Sequence, residues 1–86
     1  MKNYLKLKTL SVLEYGPILL RSNTSNATKE VKDVKEFTDF LNKEKSVSFS
    51  LSFGNKYCVS LNNGYVEWNS VDSITGEVIE IHVFKY

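Results

Sequence analysis

The 86 residues contain one histidine, His82, and one cysteine, Cys58, and those two side chains bound the chemistry available. A carboxylate beside His82 would make an acid–base pair, and Glu67 and Glu80 are the carboxylates that strand spacing brings nearest to it. A nucleophilic thiol at Cys58 would need a base and an oxyanion site, yet the expected sheet sets His82 two strands away. One His and one Cys cannot make a zinc site without several carboxylates. The sequence contains no glycine-rich phosphate loop and no GxSxG nucleophile turn. An ordinary cross-strand contact explains Glu67 and His82 better than catalysis, because strand centres on an open face offer no pocket. The expectation is a non-enzymatic chain with no metal and no cofactor.

The elements that would position these residues follow from apolar periodicity. From Ser46 to Phe53 polar and apolar residues alternate strictly, and Tyr57, Val59 and Leu61 continue the pattern. Asn63-Gly64 is a two-residue hairpin signal. It pairs Leu61 with Val66, Val59 with Trp68 and Tyr57 with Ser70. A four-residue loop from Ser73 to Gly76 then pairs Trp68 with Ile81, Val66 with Val83 and Ser70 with Ile79. A three-residue loop through Lys56 pairs Phe53 with Tyr57, Leu51 with Val59 and Phe49 with Leu61. Upstream, Val31, Val34, Thr38 and Leu41 form a stripe at helical spacing with Phe37 beside it, which predicts a helix over 28–43. Residues 3–15 carry Leu5 and Leu7, then Leu10 and Val12 in shifted phase. They are read as a strand with a bulge near Lys8-Thr9, in preference to a helix through Tyr4, Leu7, Leu10 and Leu13. Tyr15-Gly16-Pro17-Ile18 is the turn that follows it.

The fold class is therefore α+β: one domain over 1–86, ordered ββαββββ. A four-stranded C-terminal antiparallel meander and an N-terminal hairpin pack against one helix. The face away from the helix should carry Ser48, Ser50, Ser52, Cys58, Ser60, Asn62, Tyr65, Glu67, Asn69, Glu80, His82 and Phe84, by the alternation of side chains along a strand. Aromatic rings among small polar residues suit adaptable protein contact. Tyr65, Glu67, Glu80, His82, Phe84 and Tyr86 are accordingly the expected partner-binding residues.

Composition sets the remaining bounds. The chain is 42% hydrophobic and 13% aromatic, enough for a packed core, and its net charge is +1. No whole-molecule field therefore calls for nucleic acid or an anionic membrane. The N-terminal stretch is locally basic through Lys2, Lys6, Lys8 and Arg21, an expected basic edge that would also protect an edge strand from aggregation. Cys58 has no internal disulfide partner. Lys6 and Lys8 interrupt the early apolar stretch, so the segment does not read as a signal peptide, and no apolar run reaches a membrane-spanning length. A cytoplasmic location is expected, and the two Asn-X-Ser/Thr triplets near residues 23–28 are coincidences of a polar loop. Lysine outnumbers arginine ten to one, the usage of an AT-rich genome. The functional expectation is a protein-binding module, an inhibitor or an immunity or anti-defence protein of a low-GC bacterium or its phage. It would bind and block a larger protein, as a monomer or homodimer. The alternative is a nucleic-acid-binding module using the basic N-terminal hairpin, and a small enzyme using Glu67 and His82 ranks last.

Overall fold

The computed structural model describes residues 2–51 and 54–86. The elements run α1 (Lys2–Leu13), β1 (Ile18–Ser22), β2 (Thr28–Val31), α2 (Val34–Glu44), β3 (Ser46–Ser50), β4 (Lys56–Asn62), β5 (Tyr65–Val71) and β6 (Val78–Lys85). The strands form one antiparallel sheet in the order β2-β1-β3-β4-β5-β6. The ββαββββ order holds, with α1 preceding it.

The N-terminal hairpin lies later in the chain than the sequence suggests. Residues 3–15 are not a strand: they fall in α1 and the turn that ends it, and the hairpin is β1 and β2. The helix buries Leu5, Thr9 and Val12 while Tyr4, Leu7 and Leu10 stay exposed. Apolar residues thus lie on both sides of α1, which erases the helical period and mimics a strand with a slipped phase. Gly16, at φ 108°, follows the helix in a conformation that favours glycine.

The second helix is shorter than the spacing predicts. Thr28–Val31 pair with β1, and α2 begins after Asp33, whose carboxylate accepts from the Glu36 N–H at 2.9 Å. The Glu36 side chain reaches back to the Lys32 N–H at 2.8 Å. The helix ends where Lys45 turns left-handed and donates its N–H to the Leu41 carbonyl at 2.8 Å.

Phe37 is fully buried and stacks on Trp68 with centroids 5.9 Å apart, and its edge meets Phe49 at 5.9 Å. Phe40, off the expected stripe, is buried as well. Ile18, Leu20, Val31, Val47, Val59, Leu61 and Val66 complete the sheet side of this core. α2 packs on β2, β3 and β4. α1 reaches β5 and β6, with Lys8 over the Trp68 ring and Tyr4 edge-on to Phe84.

Candidate functional site

Side-chain placement on the sheet follows from register. The β4–β5 hairpin has the expected pairs: Leu61 with Val66, Val59 with Trp68 and Tyr57 with Ser70. The β3–β4 pairing differs. Phe49, not Phe53, lies opposite Tyr57, and Val47 opposite Val59. Ser52 and Phe53 lie outside the described residues. The displacement there is an even number of residues, so Phe49, Tyr57 and Val59 still face the helices.

The β5–β6 pairing differs by one residue, and one residue inverts a strand. Val71 pairs with Val78 as a four-residue loop requires, but a bulge beside Ser70 then places Ser70 opposite Glu80, Trp68 opposite His82 and Val66 opposite Phe84. Ile81 and Val83 therefore leave the expected core face, and Glu80, His82 and Phe84 leave the expected polar face.

The consequence for the six expected contact residues is a division. Tyr65 and Glu67 lie on the open face, both exposed. Phe84 turns to the helices and meets Tyr4 at 4.6 Å, edge to face. Tyr86 donates its backbone N–H to the Gly64 carbonyl at 2.7 Å, and its hydroxyl is held by Asn42 of α2. Both rings pack against the core. Glu67 sits opposite Val83, not His82, so the acid–base pair is split between the two faces. The carboxylate near His82 is Glu80, 3.6 Å away on the same strand. Cys58 is on the open face, where Ser48 Oγ lies 3.4 Å from its sulfur.

The basic residues do not form an edge. Lys6 and Lys8 project from α1, Lys2 begins that helix, and Arg21 lies on β1, an interior strand. Arg21 instead lines an open concavity of about 510 Å³ with Leu19, Thr28, Ser48, Ser50 and Lys56.

The open face thus differs in kind from the polar surface the sequence suggests. One row across the strands runs Arg21, Ser48, Cys58, Asn69, Ile81, and the next runs Ser46, Ser60, Glu67, Val83. Ile81 is 60% exposed and Val83 61%. With Tyr65 and Leu19, also exposed, they put four large apolar side chains on a ground of small polar ones. Asn69 Oδ1 is buried among them without a hydrogen-bond donor. Sequence reasoning missed Ile81 and Val83 because the single bulge that turns them outward leaves no mark in the hydropathy pattern.

Among the described residues, no three or more His, Cys, Asp or Glu side chains gather, and no helix is long and apolar enough to cross a membrane. Comparisons with protein-family models, curated proteins and solved structures found no match.

Proposed function

We propose that the chain is a small non-enzymatic protein-binding module that docks a larger protein on the uncovered face of its sheet. The observation that carries this reading is the asymmetry of the two faces. Both helices cover one, and the other presents Leu19, Tyr65, Ile81 and Val83 to solvent. Tyr65, Ile81 and Val83 are neighbours on β5 and β6, and apolar side chains grouped on an uncovered face mark a docking site. Blocking a larger protein, as an inhibitor or immunity or anti-defence protein does in the cytoplasm of a low-GC bacterium or in its phage, is the role proposed. Its support is the size, the near-neutral charge and the lysine-rich usage.

Tagged protein expressed in such a host should retain one stoichiometric protein through moderate salt. The double substitution Tyr65→Ser and Leu19→Ser should release that protein while the circular dichroism spectrum stays unchanged. Recovery of nucleic acid alone, lost steeply as salt rises, would sink the reading.

A further inference from the structure

We infer that β6 is a self-pairing edge, and that two copies of the chain join β6 to β6 antiparallel, with Ile81 on the two-fold axis. This does not rest on the docking role proposed above, though it doubles the face that role uses.

Among the described residues, no strand lies on the outer side of β6. Tyr86 donates its N–H inward to Gly64. Backbone groups alternate direction along an antiparallel strand, so Glu80, His82 and Phe84 also bond inward to β5. The N–H and C=O groups of Ile81 and Val83 point outward, unpaired by any strand among the described residues. A two-fold axis normal to the sheet keeps each face continuous, so only odd-numbered residues can exchange hydrogen bonds with odd-numbered residues of the copy.

Three central registers satisfy that condition, and side-chain chemistry chooses among them. An axis at Glu80 sets Glu80 against Glu80 of the copy, a like-charge contact. An axis at His82 sets His82 against His82 and Glu80 against Phe84. An axis at Ile81 sets Glu80 against His82, twice by symmetry, with Ile81 against itself. Only the last register sets the Glu80 carboxylate opposite the His82 ring, whose N–H can donate to it, while stacking Ile81 on Ile81. Glu80 and His82 already approach to 3.6 Å within each chain, so the dimer gathers four such groups at its centre. The bulge that could blunt this edge lies at its start, beside Ser70 and Val71, and leaves the stretch from Glu80 onward regular. The product is a continuous twelve-stranded sheet with all the helices on one face. One strand against one strand falls at the small end of specific interfaces, below about 1,200 Å², the size class of weak and transient contacts.

Sedimentation equilibrium on the full chain, from about 5 to 500 µM, tests this. The expected result is a monomer–dimer equilibrium. His82→Glu sets a second carboxylate against Glu80 of the copy and should weaken the dimer at least tenfold. The exchange Glu80→Lys with His82→Glu should restore it. Ile81→Pro removes one outward N–H, a change edge strands tolerate, and should abolish the dimer in a protein that still melts cooperatively. A monomer at every concentration overturns the inference, whether or not another protein's strand binds the edge. So does a dimer indifferent to His82→Glu and Ile81→Pro. Failure of the exchange to restore what His82→Glu removes overturns the Ile81-centred register. Partner capture through Tyr65 and Leu19 is read separately and can fail or succeed either way.

Discussion

The sheet ends in two edges that are built differently. β2 is four residues long, with Lys29 and Glu30 exposed and Val31 alone buried. It is short and charged, which gives another strand little to pair with. Its turn is held on several sides. Ser25 donates to Glu44 at 2.6 Å, Thr24 to the Glu44 carbonyl at 3.2 Å, and Asn23 Nδ2 to Ser46 at 3.0 Å. β6 is eight residues long, carries Ile81 and Val83 on the open face, and turns Phe84 to Tyr4 of α1 on the other. The β2 edge is closed by length and charge. The β6 edge keeps the backbone and the side chains needed to add a strand.

Truncating one aliphatic residue near each edge tests this difference most severely. Leu20 on β1 is 0% exposed, so Leu20→Ala should cost about 2–5 kcal/mol through lost burial and the cavity left behind. Ile81→Ala, assayed in dilute solution where the monomer dominates, should cost less than about 0.5 kcal/mol, as surface changes do. Urea denaturation of both variants measures the difference. Equal losses would mean that Ile81 is a core residue and the β6 inversion is wrong.

A finer contrast stays within β6. Phe84→Ala should cost about 1–3 kcal/mol, because the half-buried ring loses its edge contact with Tyr4. Val83→Ala, one residue earlier and turned outward, should be near neutral in the same denaturation series. The reverse ranking would restore the uninverted strand.

The two halves of the helical layer differ in the same sense. α2 has an apolar face, an Asp33 cap and a left-handed end at Lys45. α1 is apolar on both sides and buries Thr9 with its hydroxyl unpartnered. Thr9→Val removes that unpaired group at almost constant shape and should raise stability by about 1 kcal/mol. A loss of that size would reveal a hydrogen bond to Thr9 and make α1 as well anchored as α2.

These contrasts mark what the sequence could express. Strict alternation and Asn63-Gly64 place β4 and β5 pair for pair. The β3–β4 loop differs from the one expected, yet an even displacement keeps Phe49, Tyr57 and Val59 inside. The β6 bulge displaces by one and reverses every residue from Glu80 to Phe84, which disperses half the expected contact set. Residues 28–31 look helical because Val31 fits the α2 stripe and Lys29 stands four residues before Asp33. Their pairing with β1 is a tertiary choice, and no local propensity records it. α1 is hidden for a related reason: Leu7 and Leu10 face solvent, so its hydropathy describes two sides at once.

The smallest expected effect concerns the turns that close each edge hairpin, and there the edges should behave alike. At the β2 side, the hydroxyls of Ser25, first, and Ser22 hold the Glu44 carboxyl below its ordinary pKa, although Glu44 sits in the last turn of α2, where the helix dipole disfavours a negative charge. At the β6 side, the backbone N–H groups of Thr75, first, and Ile74 hold Asp72 below its ordinary pKa, at 3.0 and 2.8 Å. A carboxyl with a lowered folded pKa binds fewer protons folded than unfolded. Its stabilisation is present above the ordinary carboxylate range, near pH ~4, and fades as pH falls through the depressed value. Both hairpins should therefore loosen on acidification, and Glu44→Gln should flatten the acid limb of thermal stability without changing it at neutral pH by more than the lost hydrogen bond. In an NMR titration the Ile74 and Thr75 amides should shift with a midpoint below the ordinary aspartate value. An ordinary midpoint there, beside a depressed one for Glu44, would extend the inequality of the edges to the turns that close them.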